Sequence, residues 1–148
     1  MIVNQHYVEL MTFRIGNQLF GIDIESIKEI NCHLRIVPAP LPDPAVLGVI
    51  NLRGDVLTVV DLGNMLKIPR RRDSVSTDKF IVLRCDEERI ALAVEKLEDV
   101  TSVSRDQIQP LPSNFRTSRP EAYKGLVKTE AEVLLIIDAD AMTSPAAC

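Results

Sequence analysis

The sequence predicts an all-β protein in which one small closed barrel occurs twice. Three observations carry this: period-two apolar runs, turn dipeptides between them, and an internal repeat. Phe20, Ile22 and Ile24 alternate with Gly21, Asp23 and Glu25, and Ile90, Leu92 and Val94 alternate with Ala91, Ala93 and Glu95. Such alternation predicts half-buried strands. The run Tyr7–Ile15 precedes the first set across the turn dipeptide Gly16-Asn17, which reads as a hairpin. Residues 80–83 precede the second set across Asp86-Glu87-Glu88, a second hairpin. Residues 25–30 and 138–142 are each candidates for one or two helical turns.

The repeat is read by shifting the first half along the chain. At a shift of 70, Gly21, Ile22, Ile24, Glu25, Ile27, Glu29 and Ile30 fall on Ala91, Leu92, Val94, Glu95, Leu97, Asp99 and Val100. At a shift of 77, Gly48, Val49, Ile50, Val56, Leu57, Val59, Val60 and Asp61 fall on Gly125, Leu126, Val127, Val133, Leu134, Ile136, Ile137 and Asp138. The added residues belong to a longer loop in the second half, around 110–120. Short strands with frequent turn signals suit a small barrel, and closure removes exposed sheet edges. The expected organisation is a single domain over 1–148, with sub-barrels near 10–70 and 78–145 and terminal segments open to exchange between them. The polar stretch 69–78, without periodicity, is the internal linker. Pro38, Pro40, Pro42 and Pro44 lie between strand-like runs and read as a stiff connecting loop.

Composition narrows the function. The chain has 148 residues, 46% hydrophobic and 26% charged, an ordinary globular composition. A net charge of −4 argues against a nucleic-acid binder. The basic run Lys67, Arg70, Arg71 and Arg72 is flanked by Asp73 and Asp78 and reads as a solvated loop. Cys32, Cys85 and Cys148 are odd in number and lack paired spacing, so reduced thiols in a cytoplasmic protein are expected. The run Val133–Ile137 is far short of the roughly 20 apolar residues of a membrane helix, so no direct membrane insertion is expected. Cys32 and His33 are adjacent, but no second ligand cluster accompanies them, so neither metal nor cofactor is expected.

A duplicated fold supplies its own control. What the fold requires recurs in both halves, and what occurs once is free to serve function. Gly48 and Gly125 recur, as do Asp61 and Asp138, so these read as structural: positive φ or close backbone approach for the glycines, and capping for the aspartates. Asn51-Leu52-Arg53-Gly54 does not recur, since its counterpart is Lys128-Thr129-Glu130-Ala131. Asp61-Leu62-Gly63 superficially suggests an aspartic-protease loop with Asp138 as partner, which would require two carboxylates sharing a proton. Capping is the stronger reading, because Ala139-Asp140 follows Asp138 instead of a matching glycine loop.

The stretch from Gly48 to Leu62, with Asn51-Leu52-Arg53-Gly54 at its centre, resembles the signature of CheW-like domains. Residues 20–30 resemble the strand preceding it, and the likeness continues through 91–100 and 125–138. Thr58, Ala91 and Glu95 depart mildly from the family pattern, where proline, glycine and aspartate are usual. The resemblance implies two interlocked five-stranded SH3-like barrels with few short helices, and a non-enzymatic chemotaxis adaptor. Its implied partners are the regulatory domain of a CheA-type histidine kinase and the cytoplasmic tips of chemoreceptors, placing it in the cytoplasm beside receptor arrays. It also implies that Arg53 and Glu29 face the receptor. Ile27, Asn51, Leu52 and Gly54 complete the expected receptor set, with Ile27 read as core or as part of a groove between barrels. Asp43, Val46, Asp55 and Val56 flank the motif and are the expected kinase-binding residues.

Overall fold

A computed structural model describes residues 6–38, 43–68, 79–84, 89–117 and 119–143. The 86–88 turn, Cys85, Cys148, Pro40, Pro42, the 69–78 linker and the arginine run fall outside these. The strands in chain order are β1 (Tyr7–Ile15), β2 (Gln18–Asp23), β3 (Ile27–Asn31), β4 (Val46–Leu52), β5 (Asp55–Asp61), β6 (Lys79–Leu83), β7 (Ile90–Val94), β8 (Lys96–Ser104), β9 (Tyr123–Lys128) and β10 (Val133–Ile137). Two one-turn-and-a-half helices follow the last strand of each half: α1 (Leu62–Leu66) and α2 (Ala139–Thr143).

The strands form two five-stranded sheets, ordered β8-β1-β2-β10-β9 and β3-β6-β7-β5-β4. The sheets therefore do not follow the division at residue 70. The β1–β2 hairpin joins strands of the second half, and the β6–β7 hairpin joins strands of the first. The ladders obey the repeat: Gly21 lies opposite Ile136, and its counterpart Ala91 lies opposite Val59. Both of these central pairings, β2 with β10 and β5 with β7, are parallel and cross between the halves.

Each sheet closes on itself just beyond its edge strand. After β3 the chain returns to β4, where Val37 and Val49 exchange backbone hydrogen bonds of 2.8 and 2.9 Å. After β8, Gln109 and Leu126 exchange two of 2.8 Å. The repeated glycines sit at these closures. A Cβ on Gly48 would lie 2.2 Å from the Val37 carbonyl oxygen, and one on Gly125 would lie 2.5 Å from that of Gln109. Of the two reasons the repeat left open, both apply: φ is positive at each glycine, and the backbone approaches too closely for a Cβ.

Three apolar cores result. Ile50, Leu57, Val59, Phe80, Val82, Ala91 and Ala93 fill one barrel. Leu10, Leu19, Val103, Val127, Leu134 and Ile136 fill the other. Between the barrels, Phe13, Phe20, Ile22, Leu135 and Ile137 of one sheet meet Val60, Ile81, Leu83, Ile90 and Leu92 of the other. This corrects the half-buried reading of Ile90–Val94: all five β7 residues are buried. Its larger side chains face the partner barrel and its alanines face the narrow barrel interior, so both faces are covered.

The helical expectation for 25–30 is also corrected. Only Ile24–Ser26 forms a turn, of 3-10 type, capped by Asp23 Oδ1 accepting from the Glu25 amide at 2.9 Å. Residues from Ile27 on are β3, because pairing with β6 supplies backbone partners that a lone helical turn would lack. In the second half α2 begins at Ala139, and Asp138 accepts from the Asp140 amide at 3.0 Å.

Candidate functional site

The distinctive motif forms the tip of the β4–β5 hairpin. Leu52 pairs with Asp55, leaving Arg53-Gly54 as a two-residue loop. Both loop residues have positive φ, 52° and 87°, the pattern of a type I′ turn, in which Asn-Gly is the preferred dipeptide. Asn51 braces the turn, its Oδ1 accepting from the Gly54 amide at 3.0 Å. An arginine here occupies a left-handed conformation that a β-carbon disfavours.

From that backbone the Arg53 side chain reaches across the barrel closure to β3. Its two terminal nitrogens donate to the two Glu29 carboxylate oxygens at 2.7 and 2.9 Å. The arginine side chain is 69% exposed and that of Glu29 21%. The hydrogen bonds from Arg53 hold the Glu29 carboxyl below its usual pKa, and the pair raises that of Arg53. An exposed pair of this kind adds little to folding. What it does is orient: Glu29 fixes the guanidinium fork at the surface, and arginine retains further donors for a partner.

Of the expected receptor set, the structure brings Glu29, Asn51, Arg53 and Gly54 together, with Leu52 half-buried at the base of the turn. Ile27 is half-buried and packs against the core between the barrels. The expected kinase set divides. Val56 lies opposite Asn51 and is 62% exposed, and Asp55 lies opposite Leu52, so both share the tip with Arg53. Val46 lies opposite Val60 at the far end of β4, with Asp43 just before it, accepting at Oδ1 from the Ala45 amide at 2.9 Å. Some five residues of strand, roughly 17 Å, separate the two pairs.

Sequence reasoning missed Arg89, which precedes β7, the neighbour of β5, and forms an ion pair with Asp55. No local signal reveals this, since the two belong to different hairpins. It also missed Lys28, exposed beside Glu29, although the repeat places Glu98 at its equivalent. The second barrel handles the same region differently. Arg14 donates twice to Glu132, at 2.9 and 2.6 Å, and once to Glu98 at 2.8 Å, tying the β9–β10 connection to β1 and β8.

The repeated aspartates serve as caps. Asp61, only 5% exposed, accepts at Oδ1 from the Asn64 amide at the start of α1, and Asp138 plays the like part before α2. Asp61 ends β5 and Asp138 follows β10, strands of different sheets. Among the described residues no cluster of three or more His, Cys, Asp or Glu could hold a metal, and no helix is long and apolar enough to cross a membrane.

The model of the CheW-like domain matches residues 9–146. The chain belongs to the CheW-like domain family. It is 31% identical over 134 residues to a chemotaxis protein CheW from Rhizobium meliloti, spanning 90% of this chain and 86% of that one. A probable chemotaxis protein CheW from Rhizobium etli is 30% identical over 142 residues, spanning 96% and 91%. Among solved structures, the scaffolding protein TtCheW from Thermoanaerobacter tengcongensis superposes with a TM-score of 0.81 at 24% identity, covering 93% of this chain and 90% of that one. The CheW-like domain thus extends over both halves of the duplication, and the two interlocked five-stranded sheets are its fold.

Proposed function

We propose that this chain is a chemosensory adaptor that couples chemoreceptors to a CheA-type histidine kinase in the cytoplasm and performs no chemistry itself. Membership in a family whose curated relatives are chemotaxis proteins supports the system. The observation that carries the receptor contact is Arg53. It stands at positive φ, whereas its counterpart in the other half, Glu130, does not, and it is held outward by Glu29. A locally unfavourable residue with no folding return is the mark of a functional position.

Ile27, Glu29 and residues 51–54 form the receptor-facing surface in this reading. The kinase regulatory domain docks at the Asp43 and Val46 end of β4, away from the receptor-facing tip that Asp55 and Val56 share with Arg53. Modest contacts to two partners held in one assembly reinforce each other. Co-purification with a CheA-type kinase and with a receptor cytoplasmic fragment tests the proposal; binding to neither contradicts it. A second reading, an adaptor of a separate system controlling pili or gliding, uses the same surfaces and is separated by the receptors and kinases encoded beside the gene.

A further inference from the structure

The β1–β2 hairpin is an arm laid into the other half of the chain. Beyond its own turn, β1 pairs with β8 over residues 7–14 and β2 pairs with β10 over residues 19–22. Its polar ties run the same way. The Gly16 amide donates to Glu95 Oε1 at 3.1 Å, Gln18 Nε2 to the Val133 oxygen at 2.8 Å, and the Thr12 hydroxyl to the Asp99 oxygen at 2.5 Å. Arg14 adds its ion pairs with Glu98 and Glu132. The covalent link from this arm to β3 is the 3-10 turn Ile24–Ser26 alone.

That turn is lightly held. Asp23 Oδ1 accepts from the Glu25 amide at 2.9 Å, the Ile27 amide donates to the Ile24 oxygen, and the Ser26 oxygen accepts from the Arg84 amide at 2.8 Å. Both flanks already have extended ψ, 127° at Asp23 and 126° at Ile27. Rotation at three residues therefore makes residues 18–31 one continuous strand. The sequence accommodates it, since the apolar alternation of Phe20 and Ile22 runs on through Ile24. The equivalent arm, β6–β7, lies inside the chain between two links, so it cannot leave by opening one of them.

We infer that two copies of this chain exchange their β1–β2 hairpins through the Ile24–Ser26 turn, the arm of each completing the five-stranded sheet of the other. Every pairing and tie of the arm is remade between copies, so the exchanged dimer differs from the closed chain only in the turn and in its dependence on concentration. A segment on a short tether has an effective concentration in the millimolar range, and the dimer competes as the chain approaches it. Leaving the sheet breaks a ladder on each side of the arm. Exchange is therefore slow in the folded protein and is set by the concentration at which the chain folds. The dimer carries two β4–β5 tips on one particle.

The test places Glu9→Cys and Ser102→Cys in the full chain, together with Cys32→Ser, Cys85→Ser and Cys148→Ser. Glu9 and Ser102 are exposed and directly opposite in the β1–β8 ladder, within disulfide reach. Their disulfide is internal to a closed chain and joins two chains in an exchanged dimer. The protein is unfolded in urea, refolded at about 1 mM and at about a hundredfold lower concentration, and separated by size. Each peak is then diluted, oxidised and run on a denaturing gel without reductant. The expected result is a dimer peak that grows with refolding concentration and whose chains are covalently joined, beside a monomer peak of single chains. Ser26→Pro, which biases Glu25 out of the turn conformation, is expected to raise the dimer share severalfold, with circular dichroism unchanged. The inference falls if the chain stays monomeric at both concentrations, or if the disulfides of the dimer are internal, the mark of ordinary surface association. Both outcomes are read with the native turn, so they hold even where Ser26→Pro does not fold. A folded Ser26→Pro chain with an unchanged dimer share overturns the turn as the hinge.

Discussion

Replacing Gly48 by alanine should cost far more than the same change at Gly54, although both glycines have positive φ. At Gly48 the new Cβ would meet three backbone atoms: the Val37 oxygen at 2.2 Å, the Val37 carbonyl carbon at 2.9 Å and the Pro38 Cα at 3.0 Å. None is the end of a flexible side chain, so the Val37 segment must move. That movement severs the two hydrogen bonds closing the barrel, each contributing about 1 kcal/mol net. A β-carbon at φ 149° adds strain of order 1–3 kcal/mol. The sum is about 3–5 kcal/mol, a large share of the 5–15 kcal/mol typical of a domain. At Gly54 nothing lies within 4 Å, and only left-handed strain of about 1–2 kcal/mol remains. Gly125→Ala should resemble Gly48→Ala, since the Gln109 oxygen lies 2.5 Å away. Urea unfolding of the three variants at unchanged slope measures the order. Equal losses at 48 and 54 would refute close approach as the reason for Gly48.

Three further outcomes are expected. Phe13→Ala, which removes a buried ring stacked 5.6 Å from Phe20 in the core between the barrels, should lower stability by about 3–5 kcal/mol. It should do so in a single transition, because the exchanged hairpins make each barrel depend on the other; two separate transitions by circular dichroism would contradict this. Asp61→Asn should keep the α1 cap and nearly full stability, whereas Asp61→Ala should lose about 1 kcal/mol in the same assay; equal losses for both would remove the capping role. Arg14 depresses the pKa of Glu132 through its hydrogen bonds. A carboxyl lowered on folding contributes stability that is full above its unfolded value near 4.5 and fades as the pH falls through its folded value. Arg14→Ala should therefore shift the urea midpoint more at pH 7 than at pH 2; an equal shift at both would show that the guanidinium acts by packing alone.

The duplication was the most legible feature, because it lies in residue identity along the chain. Shifts of 70 and 77 are reproduced in the ladders at Gly21 and Ala91. The exchange of hairpins was not legible from periodicity. Alternation in β7 shows that two faces differ, but not that alanine fills a barrel while isoleucine and leucine meet another sheet. The strand at Ile27–Asn31 was obscured for a like reason: five residues beside a 3-10 turn acquire their conformation from β6, some fifty residues away. At the site, absence from the repeat singled out the 51–54 turn, and the resemblance supplied Glu29. The Asp55–Arg89 pair depends on how two hairpins meet, which no local pattern encodes.

The central claim is that Arg53 is kept for a partner at the expense of its own turn. Arg53→Gly tests it most directly, because glycine satisfies the positive φ and removes only the side chain. Purified wild-type and variant chains are titrated separately with a receptor cytoplasmic fragment and with the CheA-type kinase, and each is melted thermally. The expected result is a melting temperature equal to or above that of the wild-type chain, receptor affinity reduced roughly thirtyfold or more, and kinase affinity retained. Unchanged receptor affinity, or a lowered melting temperature with both partners lost together, would contradict the account.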